Sequence, residues 1–325
     1  MRILVTGSAG HLGEALVRTL RGSGHDVVGL DLLDSAHTDV VASITDRAAV
    51  RSGIDGAEAV LHTATLHKPH VGSHPRQAFV DTNVTGTLVL LEEAVAAGVG
   101  AFVYTSTTSA FGRSLTPAAG DPAAWITEEV VPRPRNIYGA TTVAAEDLCE
   151  LVAGDHGLPC LVLRTSRFFP EQDDSEQVRG GHADANVKLN ELLYRRIDLA
   201  DVVGAHVAAV ERAPRLGFGR YVVSATTPFG PGDLAELRRN APAVVERLFP
   251  DQPELYERLG WRMFSGIDRV YVNARARADL GWEPRYDFRH ALDLLGAGAE
   301  PRSALATSIG AKGYHPETTG PYTTR

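Results

Sequence analysis

The length, composition and charge of this chain bound its class. Its 325 residues, 44% hydrophobic and 22% charged, exclude a disordered chain and suffice for one large or two small buried cores. The formal net charge of −8 argues against nucleic acid as a partner. Apolar runs are too short to span a membrane, and Met1 leads straight into the first of them without a signal peptide, so we expect no membrane partner and a cytoplasmic location. The two cysteines, Cys149 and Cys160, are expected in the core rather than in a disulfide.

Strand, turn and helix patterns open the chain. An apolar run at 2–6 precedes a glycine-rich turn at 7–13, and a second apolar run at 25–30 ends in Asp31, about 20 residues after the glycines. This order and spacing predict a dinucleotide site with the pyrophosphate at the N-terminus of the intervening helix. Asp31 is expected to bond the adenosine ribose and to repel a 2′-phosphate, which favours NAD over NADP as the cofactor. The residues assigned to the cofactor here are Gly7, Ala9, Gly10, His11, Leu12, Gly13 and Asp31.

Strand and helix patterns continue to alternate along the chain without an internal repeat. This alternation predicts an α/β fold with a Rossmann-type, doubly wound parallel sheet. Residues 171–186 are predicted to form a mobile flap and residues 299–325 an extended arm. Further strands are predicted at 40–41, 57–62, 101–104, 158–164 and 219–224. Helices are predicted at 46–52, 75–97, 138–155 and 197–211, with proline-broken helices at 228–253.

Polar loops follow several strands at the edge where parallel sheets bind ligands. Ser43 and Ile44 stand where an adenine ring could lie. Five successive hydroxyl residues, 105–109, follow the strand predicted at 101–104. For Lys68, phosphate neutralisation and simple solvation are both open. The residues assigned to the cofactor at these strand ends are Ser43, Ile44, Thr63, Ala64, Thr65, Lys68, Thr105, Ser106 and Arg164.

Three histidines close in sequence raise the question of a metal. His67, His70 and His74 fit no compact metal-binding spacing and have no cysteine nearby, so we expect no metal site. Gly86, within the helix predicted at 75–97, indicates that another element packs closely there.

Together these segments resemble the extended short-chain dehydrogenase/reductase superfamily, in particular its NAD-dependent epimerase/dehydratase branch. The resemblance covers roughly residues 1–295. It implies a cofactor domain of residues 1–165 plus about 196–225, and a smaller C-terminal substrate domain of about 166–195 plus 226–298. The segments that carry it are 6–13, Asp31, 62–64, 83–87 with Asn83 on the cofactor side, 105–112, 138–141 and 280–284.

The resemblance implies a catalytic hydroxyl, a tyrosine and a lysine four residues after the tyrosine. Thr107 matches the hydroxyl that polarises the substrate oxygen, and Tyr138 matches the acid/base, which also contacts the cofactor. Thr142 occupies the lysine position. Because residues four apart share a helix face, Thr142 is expected to face the cofactor, where its hydroxyl can bond a ribose oxygen but supplies no positive charge.

Three interpretations of the missing lysine stay open. Tyr138 acts with weaker activation or with another cation, such as Lys68 or Arg164, in the site. Alternatively, the enzyme performs chemistry that needs no phenolate, or the protein binds NAD without turnover as a sensor or structural protein. The first, NAD-dependent oxidoreductase, epimerase or dehydratase chemistry at a secondary alcohol or ketone, is the function that we favour at this stage.

The substrate side is less well marked by sequence. The resemblance suggests that a nucleotide diphosphate, as in sugar-nucleotide enzymes, meets Asn190, Arg195, Arg196 and Arg269, although each arginine could equally be a helix-surface residue. Asp198 replaces the histidine usual in the family near the next helix. A homodimer through helices 75–97 and 138–155 is also implied. The residues assigned to the substrate are Thr107, Thr108, Phe168, Asn190, Arg196 and Arg269.

Overall fold

Residues 1–170, 172–173 and 175–312 are described by the computed structural model. Within them, none of the helices combines the length and apolar character that crossing a membrane requires. The strands are β1 (Arg2–Thr6), β2 (Asp26–Asp31), β3 (Val40–Val41), β4 (Ala59–His62), β5 (Ala101–Thr107), β6 (Ala124–Ile126), β7 (Cys160–Thr165), β8 (Phe218–Val223) and β9 (Arg269–Tyr271). The α-helices are α1 (His11–Gly22), α2 (Arg47–Ile54), α3 (Arg76–Phe79), α4 (Thr87–Ala96), α5 (Ile137–His156), α6 (Glu176–Gly181), α7 (Asp184–Leu192), α8 (Leu199–Leu216), α9 (Leu234–Leu248), α10 (Gln252–Leu259), α11 (Ala274–Leu280), α12 (Phe288–Gly296) and α13 (Ala304–Ile309).

A seven-stranded sheet forms the centre of the fold, in the order β3-β2-β1-β4-β5-β7-β8. Every pairing in it is parallel. Its central strands are apolar on both faces: Leu4 packs into one core cluster, and its neighbours Ile3 and Val5 pack into the other. A parallel sheet covered by helices on both faces requires such continuous apolar runs. The predicted Rossmann-type doubly wound fold is confirmed.

Two helical layers cover the sheet. Helices α1 and α8 pack with Ile3 and Val5, and helices α2, α4 and α5 pack with Leu4 on the opposite face. Asp46 caps α2 as expected, because its side chain accepts from the backbone N–H groups of Ala48 and Ala49. Cys149 and Cys160 are buried free thiols of the second layer, which confirms their predicted place in the core.

A separate apolar cluster lies in the C-terminal part of the chain. It draws on α7, α9, α10 and α12, beside the small parallel sheet formed by β6 and β9. Helix α9 is kinked at Asn240, two residues before Pro242, because proline disfavours helical geometry in the turn that precedes it. Strand β6 comes from the proline-rich loop 115–134, so this early segment also contributes to the smaller sheet.

The helix predicted at 75–97 is not uniform. Between α3 and α4 the segment Val80–Gly86 is π-helical, a wider turn that inserts one extra residue into the helix. The close packing expected at Gly86 is confirmed, since a Cβ atom there would lie 2.6 Å from the Ile44 side chain.

Two sequence expectations about loops are corrected. The predicted flap contains α6 and the start of α7, and Ser175 caps α6 by accepting from the Val178 N–H; residues 171 and 174 lie outside the described residues. The predicted extended arm contains α13, which packs on α1 and α8; residues 313–325 lie outside the described part. Helices α6 and α13 have only six residues each, which is too short for a helical apolar period to show in the sequence.

We predict that Gly13→Ala destabilises the fold and abolishes NAD binding. A Cβ atom at residue 13 would lie 1.8 Å from the Gly7 carbonyl oxygen, so α1 must move away from β1. The expected loss in the free energy of unfolding is about 1–3 kcal/mol, measured by chemical denaturation. Gly22→Ala in the same helix is the control, because nothing lies within 4 Å of its Cβ position. Equal stability of the two variants would contradict the prediction.

Candidate active site

A cavity of about 1170 Å³ opens at the carboxyl end of the parallel sheet. The glycine turn and the loops after β2, β4, β5 and β7 line one part of it, and residues of the smaller sheet line another. Most of the residues singled out from the sequence meet there. These are Gly7, Ala9, Gly10, His11, Leu12, Gly13, Asp31, Ser43, Ile44, Thr63, Ala64, Thr65, Lys68, Thr105, Ser106, Thr107, Thr108, Tyr138, Phe168 and Arg269.

The glycine turn has the geometry of an anion site. Gly7 has a φ of +73° and donates its N–H to the Leu30 carbonyl at 2.8 Å, which ties the turn to β2. Gly10 precedes α1 without a side-chain cap, so the positive end of α1 faces the cavity. Since a Cβ atom at Gly13 would strike the Gly7 carbonyl, the close approach of helix and turn needs glycine. The turn therefore fits a dinucleotide pyrophosphate.

Asp31 is held in place beside this turn. Its carboxylate accepts from the Ala9 N–H at 3.0 Å and from the Leu33 N–H at 2.9 Å, and it lines the cavity. Leu32 and Leu33 also line the cavity, yet they are 66% and 65% exposed. The sequence analysis missed these two apolar residues; the signal was two leucines directly after the acid that ends a buried strand.

Asn83 bonds the loop after β4 on the side away from the cavity. It does not line the cavity. Its side-chain oxygen accepts from the Leu66 N–H at 2.8 Å, and its NH₂ group donates to the Leu66 carbonyl at 2.8 Å and to the Thr141 hydroxyl at 3.1 Å. The predicted direct contact between Asn83 and the cofactor is therefore corrected: this side chain joins the loop after β4 to helix α5.

Tyr138 and Thr107 meet on the wall of the cavity. Thr107 lies at the end of β5 and Tyr138 in the first turn of α5, and both side chains line the cavity. Burial raises the pKa of Tyr138 to about 12, and the neighbouring Thr107 hydroxyl opposes this rise only in part. The tyrosine is consequently a neutral phenol at physiological pH.

Thr142 does not face the cavity, contrary to the sequence-based expectation. Its side chain is buried, and its hydroxyl donates to the Tyr138 backbone carbonyl at 2.8 Å. A hydroxyl on this short side chain satisfies itself on the preceding helical turn instead of reaching outward, so the predicted ribose contact is not supported.

Arg164 is also not a cation of the cavity. Its guanidinium forms a buried ion pair with Glu146 at 2.6 Å and lies over the Phe111 ring, 4.9 Å from the ring centroid. Glu146 additionally accepts from Ser106 and pairs with Arg220 at 3.3 Å. The assignment of Arg164 to the cofactor is corrected, because Glu146, two turns after Tyr138 on α5, holds the guanidinium in the core.

Of the residues assigned to the substrate in the smaller domain, only some reach the cavity. Asn190 accepts from the Tyr256 hydroxyl at 2.7 Å, and Arg196 pairs with Glu191 at 2.8 Å; neither lines the cavity. Arg269 does line it, beside Asp268 at 3.0 Å. The predicted substrate contacts of Asn190 and Arg196 are therefore corrected as internal bonds, which sequence cannot distinguish from ligand contacts.

Two further arginines reach the cavity. Arg167 and Arg195 line it, and both pair with Asp173, at 2.5 and 3.2 Å. Both also face Glu191, whose carboxylate is fully buried. Sequence analysis noted Arg195 but missed Arg167, for which the signal was a second arginine three residues after the strand-ending Arg164.

The imidazole rings of His67, His70 and His74 pack against one another on the cavity wall. The His67 N–H donates to His70 Nδ1 at 2.9 Å, and the His70 and His74 rings lie edge to face, 5.0 Å apart. His67 stacks on Phe169 at 5.5 Å. A search of the described residues finds no group of three or more His, Cys, Asp or Glu placed to hold a metal ion.

Comparison with known proteins gives the chain its family. A profile of the NAD dependent epimerase/dehydratase family matches residues 3–223, about two-thirds of the chain. The chain therefore belongs to the NAD dependent epimerase/dehydratase family. Its general kind of function is that of NAD-dependent epimerases and dehydrogenases, and its cofactor is NAD.

Individual relatives fall into two groups. A UDP-glucose 4-epimerase of Mycolicibacterium smegmatis is 32% identical, over 88% of this chain and 94% of the relative. A 3-beta-hydroxysteroid dehydrogenase of Mycolicibacterium neoaurum is 26% identical, over 94% of this chain and 96% of the relative. Among solved structures, an NAD-bound short-chain dehydrogenase/reductase superfamily protein of Agrobacterium tumefaciens has a TM-score of 0.65 and 23% identity, covering 90% of this chain and 95% of that one. A UDP-glucose 4-epimerase of Thermotoga maritima with UDP-glucose has a TM-score of 0.63 and 23% identity, covering 90% and 97%.

We predict that Glu146→Leu destabilises the protein by about 3–5 kcal/mol, because it leaves Arg164 buried without its partner. Asp147→Leu is the control, since Asp147 pairs with Arg220 at 3.0 Å at an exposed site and its loss should cost no more than about 1 kcal/mol. Adding Arg164→Met to Glu146→Leu should recover part of the loss. Chemical denaturation measures all four proteins, and similar losses for the two single variants would contradict the buried role.

Proposed function

We propose that this protein catalyses NAD-dependent redox chemistry at a secondary alcohol or ketone, either as a net reaction or as a redox-neutral epimerisation or dehydration. The observation that carries the proposal is that Thr107 and Tyr138 line the same cavity as the glycine turn. When bound, NAD supplies the two-electron acceptor or donor. The chain supplies the proton and fixes the position of the reacting oxygen.

Tyr138 and Thr107 have distinct roles in this proposal. The Tyr138 hydroxyl gives a proton to a ketone oxygen or takes one from an alcohol. Thr107 donates its hydroxyl hydrogen to the substrate oxygen, which polarises the carbonyl. Ser109, whose N–H donates to Thr107 Oγ1 at 3.1 Å, keeps the threonine oriented.

The high pKa of Tyr138 favours one direction. With a pKa of about 12, only about one molecule in 10⁵ carries the phenolate at neutral pH. The neutral phenol is ready to protonate a ketone, whereas alcohol oxidation must wait for the rare base. We therefore propose carbonyl reduction as the faster half-reaction at neutral pH, unless a cavity cation such as Lys68 lowers this pKa when substrate is bound.

For the substrate we propose an anionic sugar nucleotide. Arg167, Arg195 and Arg269 line the end of the cavity formed by the smaller domain. A linked group of Arg167, Arg195 and Arg196 with Asp173 and Glu191 carries one positive charge in excess. An anion-binding wall suits a diphosphate. The relative at 32% identity, a UDP-glucose 4-epimerase, supports this class.

A 3β-hydroxysteroid is the second candidate. Phe168 and Phe169 both line the cavity with ring centroids 4.4 Å apart, and Leu115 and Val178 add apolar surface. Several relatives at 26–28% identity are 3β-hydroxysteroid dehydrogenases. Competition decides between the classes: UDP and UDP-glucose should compete with a sugar-nucleotide substrate, and neither should affect turnover of a steroid.

Assembly and cellular location are two further proposals. We propose a homodimer through the helical segment 76–96 and α5, and a cytoplasmic location. Sedimentation velocity tests the first, and a monomer at micromolar concentration would overturn it.

We predict that Tyr138→Phe lowers turnover at least about 100-fold, because it removes the proton-transferring hydroxyl. NADH affinity should stay within about threefold, since the ring remains. Stopped assays over panels of UDP-sugars and hydroxysteroids measure the first effect, and fluorescence titration measures the second. Tyr286→Phe is the control, because it removes the same hydroxyl from a tyrosine that does not line the cavity. Undiminished turnover in Tyr138→Phe would remove the acid/base assignment.

We predict that alcohol oxidation by the wild type rises about tenfold per pH unit from pH 7 to 10, because the phenolate fraction rises by that factor below a pKa of about 12. Thr142→Lys should move this rise to lower pH, since an ammonium one helical turn from Tyr138 stabilises the phenolate. Thr142→Met is the control of similar stem length without charge. Identical pH profiles for the Lys and Met variants would show that residue 142 cannot act on Tyr138.

A further inference from the structure

The segment 303–312, here called the C-terminal strap, crosses the cofactor domain towards the glycine turn. It is anchored at its start, where the Ser303 N–H donates to Asp198 Oδ2 at 3.0 Å. Leu305 and Ile309 of α13 then pack against the core layer that contains α1 and α8. Asp198, which stands where the family usually has a histidine, thus fixes the strap as well as capping α8.

The end of the strap reaches the turn itself. The Gly310 carbonyl bonds the His11 ring at Nε2, 2.9 Å away. Burial is the main cause that lowers the pKa of His11 to about 4, so the ring is neutral at physiological pH and its Nε2–H can donate to this carbonyl. Two residues later, Lys312 Nζ donates to the Ala9 carbonyl at 2.9 Å and pairs with Glu14. His11 and Lys312 both line the cavity.

Lys312 lies beside a negative charge at the start of α1. Glu14 places a carboxylate in the first turn of α1, the end of the helix that should receive a pyrophosphate. A carboxylate there repels the phosphates. The Lys312 ammonium faces both the carboxylate and the cavity, so it cancels this repulsion and adds a cation at the phosphate end.

We propose that Lys312 is a cofactor-binding residue, carried by the C-terminal strap to the pyrophosphate of NAD at the glycine turn. This inference goes beyond the proposed reaction and requires only that NAD binds at the turn. The simpler alternative is that Lys312 ties the strap to α1 through Glu14 and affects NAD binding only by holding the strap in place. The two differ in what happens when Glu14 loses its charge.

The first experiment measures NADH affinity of the full-length protein by fluorescence titration. Lys312→Met should raise the Kd about tenfold at low salt, the effect of one charge-assisted hydrogen bond. The ratio to wild type should shrink in 0.5 M NaCl, where the charge is screened. Lys312→Arg should restore most of the affinity. Arg302→Met is the matched control, because Arg302 precedes the strap and pairs with Glu300 away from the cavity.

Glu14→Gln then separates the two roles. If Lys312 acts on the phosphates, this variant should bind NADH as tightly as wild type or more tightly, because repulsion is removed and the cation stays. If Lys312 only ties the strap down, Glu14→Gln should weaken NADH binding as Lys312→Met does, and that result would overturn the proposal.

Competition with NADH locates the effect on the ligand. Lys312→Met should weaken ADP, which carries the diphosphate, and leave adenosine unchanged. Equal loss for both ligands, or an unchanged NADH Kd in a variant with wild-type thermal stability, would also overturn the proposal. Because every readout is binding, failure here differs from failure of the proposed chemistry, which would leave these affinities intact and turnover absent.

Discussion

Close contact between the first turn of α1 and the loop before it is the constraint on which the site depends. With no Cβ at Gly13, the helix can lie against the Gly7 carbonyl, and this fixes where the positive end of α1 points. Asp31 is fixed to the same turn through the Ala9 N–H. The glycine turn, Asp31 and the edge of the sheet are therefore one rigid unit, and β5 and α5 position Thr107 and Tyr138 on the wall of the same cavity.

Several arginines in and near the cavity wall are paired with carboxylates. Buried arginines are abundant, but Arg164 is committed to Glu146, and Arg167 and Arg195 share Asp173 and Glu191. Unpaired burial of these groups would be costly, so the acids belong to the fold as much as the arginines do. Around Tyr138 burial dominates and keeps the phenol protonated.

Periodicity and spacing were sufficient to predict much of this molecule. Buried parallel strands are short apolar runs, and a glycine turn followed by an acid at fixed distance has few other causes, so the parallel sheet and its opening strand, turn and helix could be anticipated. Side-chain direction could not. Thr142 shares a helix face with Tyr138 as spacing requires, yet its hydroxyl turns back to the helix backbone. Arg164 and Asn190 have the chemistry of ligand contacts, but their partners lie 18 and 66 residues away in sequence, at Glu146 and Tyr256. The strap contact was beyond prediction for the same reason, as it joins Lys312 to Ala9 across the whole domain.

The π-helical stretch at 80–86 fixes the number of residues that this helical segment must contain. One extra residue in a helix turns everything that follows by about 100°. After this stretch, Glu93 of α4 forms ion pairs with Arg47 and Arg51 of α2 at 2.8 Å each. Within the stretch, Asn83 bonds Leu66 of the loop after β4. Deleting a single residue there would keep the segment helical and yet point one of these groups away from its partner. Insertions and deletions among related chains should therefore accumulate in the loops and avoid this segment, although its sequence shows no sign of being other than an ordinary helix.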